Sequence, residues 1–181
     1  MRELSLHILD VVENSLAARA TRINIEIVER LEEDQLAITI EDNGVGMDRE
    51  MAIRSVNPFF STRSTRRIGL GLPLLKAAAE HCNGQFHLES EPGKGTTVSV
   101  QFQHSHIDRV PIGNMADTLM SILLSDRLMS LGYVHSVGDR CFEFDTDDIK
   151  QMLEDVPVSH PLVREWLFAY LSEGENSLWD N

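Results

Sequence analysis

Residues 41–48 read EDNGVGMD, setting a carboxylate and a carboxamide directly ahead of two glycines separated by one residue. A carboxylate at Asp42 can accept a hydrogen bond from an exocyclic amino group such as that of adenine. Gly44 and Gly46 lack the Cβ atoms that would keep a flat ring away from the backbone. A plain Asn-Gly turn in solvent has the same composition, so this stretch alone is ambiguous. Asp10 and Asn14 stand four apart in a helical pattern, on one face and one turn from each other. The small Ala17 and Ala18 beside them let a ligand come close to that helix. RIGLGLPLL places Gly69 and Gly71 at a loop-to-helix junction, where unpaired N–H groups and a partial positive charge suit phosphate oxygens. Pro73 near the start of that helix removes no needed hydrogen bond. Leu70, Leu72, Leu74 and Leu75 read most simply as core.

Two common nucleotide loops are excluded by spacing. The dinucleotide pattern needs a third glycine three positions after Gly46, where Arg49 stands, or after Gly71, where Leu74 stands. GKGTT at 93–97 lacks the P-loop order, because Gly95 follows Lys94 and Leu88 occupies the place of the leading glycine.

Charge narrows the function classes further. The chain carries a net charge of −13. Residues 1–104 hold 11 basic and 15 acidic residues, and residues 105–181 hold 5 and 14. A general nucleic-acid surface needs a basic face, which this chain does not offer. Residues 49–67 run against the trend, with Arg49, Arg54, Arg63, Arg66 and Arg67 against the single acid Glu50. Such a segment is either a solvated loop or a local anion site. Hydrophobic residues make up 42% of the chain, enough for a packed core, yet no apolar run approaches the ~20 residues of a membrane span. MRELSLHILD has acids where a signal peptide would be apolar, and Cys82 and Cys141 form neither a metal pattern nor a disulfide framework. A reduced, cytoplasmic protein is expected.

The elements that must position these residues follow from periodicity. Leu4, Ile8, Val12 and Leu16 predict an amphipathic helix over 2–20. Ile23, Ile25 and Ile27, then Leu36, Ile38 and Ile40, alternate with polar residues and predict a hairpin that delivers Asp42 and Asn43 at its second end. A short helix over 48–56, a long Ser/Thr/Arg-rich loop, a helix stopped by Asn83-Gly84, and two strands joined through EPGKG complete a unit at about residue 104. Beyond it, residues 105–181 read as a smaller acidic α+β unit or extension. A helix capped by Asn114, a hairpin turning at Gly138-Asp139, a helix capped by Asp145 or Thr146 and a final helix in SHPLVREWLFAYL make it up.

Five stretches occur in one order: ENS with Asp10, DNGVGM, NPFFST, GLGLP and EPGKGTT. That order resembles the GHKL superfamily of ATP-binding domains, which includes gyrase-type topoisomerases, heat-shock chaperones, sensor histidine kinases and MutL-type repair proteins. The first motif is closest in style to the MutL type, and residues 57–103 to the sensor kinases. The resemblance implies a Bergerat-type α+β two-layer sandwich, with helices on one face of a mixed sheet, and ATP with Mg²⁺ as ligands. It implies nucleotide contacts from Asn14, Ala18, Asp42, Gly44, Gly46 and Met47. Further contacts would come from Phe60, Ser61, Thr62, Arg63, Arg67, Gly69, Leu70, Gly71 and Leu72 of a mobile lid and the helix after it, and from Thr96. Asn14 would bind the Mg²⁺ and Asp42 the adenine amino group.

Asp10 matches the catalytic base of MutL-type ATPases, which is a glutamate there. The missing methylene displaces a base by about 1 Å and predicts slow hydrolysis. The first motif begins near residue 7, so the dimerising hairpin of a sensor kinase is not expected ahead of it. The accessible histidines expected are His7, His81, His104 and His106, none in a phosphoacceptor context. The expected function is therefore ATP-dependent phosphoryl transfer to a partner protein in trans, from a monomer or homodimer. A nucleotide-gated interaction switch and a slow MutL-like ATPase are the alternatives.

Overall fold

The computed structural model describes residues 2–58, 70–125, 130–153 and 156–179. One six-stranded mixed sheet organises them, in the order β3-β4-β2-β1-β5-β6. Its strands are β1 (Arg22–Arg30), β2 (Gln35–Asp42), β3 (Gln85–Glu91), β4 (Gly95–Gln103), β5 (Ser130–Val137) and β6 (Arg140–Asp145). The helices are α1 (Leu4–Ala17), α2 (Arg49–Ser55), α3 (Gly71–His81), α4 (Met115–Leu123), α5 (Thr146–Leu153) and α6 (Pro161–Ser177). All neighbouring strands are antiparallel except β1 and β5.

Alternation decides which face of the sheet is covered. Ile23, Ile25 and Ile27 of β1, Leu36, Ile38 and Ile40 of β2, and Val98, Val100 and Phe102 of β4 are all buried. They meet Leu4, Ile8, Val11, Val12 and Leu16 of α1, Leu72, Leu75 and Ala79 of α3, and Leu119 and Ile122 of α4 in one apolar cluster. The opposite face carries Asn24, Glu26, Thr39, Glu41 and Ser99, polar residues suited to solvent. This is the expected two-layer α+β sandwich. α1 stops at Ala17 rather than 20, because Arg19 adopts a φ of 60° and turns the chain into β1. α6 runs to Ser177, past the end of the expected final helix.

Residues 105–181 add β5 and β6 to the same sheet, with the two-residue turn at Gly138-Asp139 as expected. Where β1 meets β5, the covered face holds a buried charged cluster. Glu29 lies between His104 and His135, accepting from Nε2 of each, and His135 Nδ1 meets Glu175 Oε2 of α6 at 3.0 Å. Tyr133 donates to the other oxygen of Glu175 at 2.7 Å. Burial pulls the His135 pKa down, but the hydrogen bonds and charges of Glu175 and Glu29 outweigh it and raise it to about 9. Burial pushes the Glu29 carboxyl up, and the two histidines reverse this to leave it below its ordinary value.

His7 departs from the accessible position expected of it. It is buried in α1, on the row of Leu4 and Val11, and burial lowers its pKa to about 4. His104 is half-buried against Glu29, while His81 is exposed.

Candidate functional site

Asp42 is the last residue of β2, opposite Thr96 on β4, and is 8% exposed. Ser15 of α1 donates its hydroxyl to Oδ2 at 2.7 Å, and the Gly44 N–H donates to Oδ1 at 2.8 Å. Among the described residues no lysine or arginine pairs with it. A buried carboxylate held by two neutral donors keeps lone pairs free for a ligand's N–H group. Ser15 falls within the ENS stretch, but its spacing alone gives it no role; the strand end beside it does.

The glycine turn is fastened at both ends. Asn43 is its anchor: Oδ1 accepts from the Thr21 and Arg22 N–H groups at 2.9 Å each, and Nδ2 donates to Thr21 Oγ1. The Val45 N–H donates to the Ala18 carbonyl at 2.9 Å, and the Gly93 N–H to the Val45 carbonyl at 2.8 Å. A Cβ on Gly44 would come within 2.8 Å of the Ala18 oxygen, and Gly46, at φ +64°, would overlap the Glu91 carbonyl. Ser90 links the far side of the turn to β4. Its Oγ accepts from the Met47 N–H at 2.8 Å, donates to the Gly95 carbonyl at 3.0 Å and lies 2.9 Å from Thr96 Oγ1.

Gly95 and Gly93 allow a controlled test of this packing. Both have positive φ (+109° and +78°), but a Cβ on Gly95 would overlap the Asp42 carbonyl, whereas Gly93 has open space. Gly93→Ala should cost about 1–2 kcal/mol of folding stability from backbone strain alone. Gly95→Ala should cost about 1–3 kcal/mol more from the clash. Urea unfolding of the two variants measures the difference.

Asp10 is exposed and Asn14 half-buried, one turn apart on α1 as expected. Gly71 opens α3 against them: a Cβ there would approach the Asp10 Cβ to 2.9 Å and Oδ2 to 3.3 Å. Glycine at this place is what lets the start of α3 lie on the acid. Leu70 is the residue before α3, and Leu72 is buried in the core. Phe60, Ser61, Thr62, Arg63, Arg66, Arg67 and Gly69 lie outside the described residues.

Thus α1, the end of β2, the glycine turn, the start of α3 and Thr96 come together around Asp42 and Asp10. Met47 and Ser90 also border a groove of about 670 Å³, lined by Ala52 and Ile53 of α2, Val56 just after it, Phe86 and Leu88 of β3 and Lys76 of α3. Asp42 does not line it. Among the described residues no cluster of three or more His, Cys, Asp or Glu could hold a metal ion. A cation beside Asn14 would therefore depend on ligand oxygens for most of its coordination. No helix among them is long and apolar enough to cross a membrane.

A family model described as histidine kinase-, DNA gyrase B- and HSP90-like ATPase matches residues 2–106. With more than half of its length matched, the chain belongs to this family, and its nucleotide unit is a histidine kinase-like ATP-binding domain. The sensor protein kinase FleS of Pseudomonas aeruginosa is 37% identical over 93 residues, covering 51% of this chain and 23% of that protein. Sporulation kinase E of Bacillus subtilis is 30% identical over 93 residues, covering 51% of this chain and 12% of that one. The chain thus spans less than a quarter of the length of either kinase. The N-terminal domain of a DNA repair protein superposes with a TM-score of 0.54 at 17% identity, covering 79% of this chain and 52% of that one. That likeness concerns the fold, the Bergerat-type sandwich.

Proposed function

We propose that this protein binds ATP with Mg²⁺ and transfers the terminal phosphoryl group to a partner protein in a regulatory pathway. The observation that carries the reading is the buried Asp42 carboxylate, held by Ser15 and Gly44 with no basic side chain beside it among the described residues. Asp42 accepts the adenine amino group, Ala18, Gly44, Gly46 and Met47 border the base, and Thr96 supports it through Ser90. Asn14 ligates the Mg²⁺, Asp10 orients the attacking group, and Leu70, Gly71 and Leu72 offer the α3 N-terminus to the phosphates. Phe60, Ser61, Thr62, Arg63, Arg67 and Gly69 form a lid whose arginines neutralise charge on the transferring group. Residues 1–104 are the nucleotide domain and 105–181 an acidic extension, in a cytoplasmic protein able to act as a monomer or homodimer.

A second reading, a nucleotide-gated interaction switch with little turnover, is favoured by the short Asp10 side chain at the base position. Incubation of the purified chain with γ-labelled ATP and cell lysate separates the readings. Label on a specific protein is the expected result. Free phosphate alone indicates an ATPase, and neither indicates the switch.

Asn14→Ala should weaken nucleotide binding about tenfold or more when Mg²⁺ is present and much less in EDTA, since the metal contact is a charge-assisted one. Titration calorimetry with and without Mg²⁺ checks this. Equal losses would reduce Asn14 to a helix support.

A further inference from the structure

The outer face of α6 is built unlike a solvated helix. Val163, Leu167 and Leu171 bury the inner row. The adjoining row, Leu162, Trp166 and Tyr170, also repeats every four residues, yet it is 70%, 43% and 39% exposed. A single-domain surface helix would place charges there. The stripe is held rigid rather than loosely draped. Trp166 stacks on Tyr170 with ring centres 5.7 Å apart and planes 19° off parallel, and Tyr170 packs in an edge arrangement with Phe142 at 5.7 Å and tilted against Phe144 at 6.4 Å, both on β6. A preorganised aromatic row of this kind loses little conformational freedom when covered.

The charge around it says what would cover it. Residues 139–181 contain eleven acidic and three basic residues. Of the bases, Arg140 donates to the Leu178 carbonyl, Lys150 pairs with Asp147, and Arg164 is exposed on the side of α6 turned away from the stripe. Glu173 continues the stripe one turn beyond Tyr170, and Glu165 lies one turn from Leu162, both exposed. Glu143 and Asp148 line the opposite face of the sheet beside Asn24 and Glu26, and Asp147 pairs with Arg22, so the acids that border the stripe are Glu165 and Glu173. A second copy would bring two acidic frames together across a symmetric contact, and an anionic membrane would be repelled.

We propose that the Leu162–Trp166–Tyr170 face of α6 docks a basic amphipathic segment of a partner protein. Its aliphatic side chains cover the stripe, and its lysines or arginines lie over the Trp166 and Tyr170 rings and against Glu165 and Glu173. The inference does not depend on the nucleotide reading. α6 packs at the β6 edge, and β1 and β5 separate β6 from the strand that ends in Asp42.

The test uses the full chain carrying Trp179→Phe, which leaves Trp166 as the sole tryptophan. It is titrated with two synthetic peptides of the same helical leucine pattern, one with lysine and one with glutamate at the polar positions. The lysine peptide should saturate, shift Trp166 emission to the blue and bind at least about tenfold more tightly than the glutamate peptide. With a dye-labelled lysine peptide, Leu162→Ser and Tyr170→Ser in the otherwise unaltered chain should each weaken binding about tenfold. Thermal unfolding of Leu162→Ser and ADP binding of both variants should stay unchanged, which separates a lost surface from a lost fold and from the nucleotide site. Tyr170→Ser also gives up its packing on Phe142 and Phe144 and should unfold at a somewhat lower temperature. Comparable binding of both peptides, binding indifferent to these substitutions, or absence of binding would overturn the proposal. So would a dimer in sedimentation equilibrium that buries Trp166 without peptide, since the stripe would then belong to a second copy.

Discussion

Asp42→Asn should weaken ADP binding by roughly 10- to 100-fold while leaving the fold intact, because it reverses one hydrogen-bonding polarity inside an otherwise unchanged pocket. The Gly44 N–H can only donate, so the new side-chain carbonyl takes the Oδ1 position 2.8 Å from it. The NH₂ group then falls where Oδ2 stood, 2.7 Å from Ser15, whose hydroxyl can rotate to accept. Protein contacts are thereby kept, and the NH₂ of the side chain is turned toward the NH₂ of adenine. Titration calorimetry with ADP, paired with thermal unfolding, separates affinity from stability. An unchanged dissociation constant would remove the adenine assignment.

Folding stability should peak near pH 6.5 and fall by about 3 kcal/mol toward pH 9.5 through His135 alone. The folded pKa of His135 is raised from 6.5 to about 9. Its contribution is therefore fully present below pH 6.5 and is lost as pH rises through about 9. His7 works from the other side. Its folded pKa is lowered from 6.5 to about 4, so the unfolded chain takes up a proton first, and stability falls as pH drops from 6.5 toward 4. Glu29, held below its ordinary 4.5, adds a loss at still lower pH. Urea unfolding across pH measures the dome. Glu29→Gln removes one of the two carboxylates that hold the His135 proton and should flatten the alkaline limb, besides costing about 3 kcal/mol at neutral pH for a broken buried pair. An alkaline limb that is equally steep in the variant would show that His135 does not draw its charge from Glu29.

Periodicity made much of this legible. The isoleucine alternation in β1 and β2 placed Asp42 at a strand end, and Asp10 and Asn14 fell on one helix face, because both follow from local geometry. Asn114 caps α4 through its side chain, an equally local matter. Non-local pairing escaped. Nothing in the spacing of residues 29, 104, 135 and 175 announces a shared cluster, since it exists only once β5 lies parallel to β1 and α6 folds back over both. The roles of Ser15 and Ser90 likewise depend on which strand ends stand beside them. His7 was readable in part: it sits on the same helical row as Leu4 and Val11, a row less conspicuous than that of Ile8 and Val12.

The most direct test of the account is a calorimetric titration of the unaltered chain with Mg²⁺ and non-hydrolysable analogues of ATP and GTP. The two share a triphosphate and differ at the base edge that Asp42 is assigned to read. Guanine presents a carbonyl oxygen where adenine presents an amino group, leaving the buried carboxylate facing an acceptor. The account predicts one site per chain with the ATP analogue bound about 100-fold or more tightly than the GTP analogue. Equal affinity for the two, or binding of neither, would contradict it.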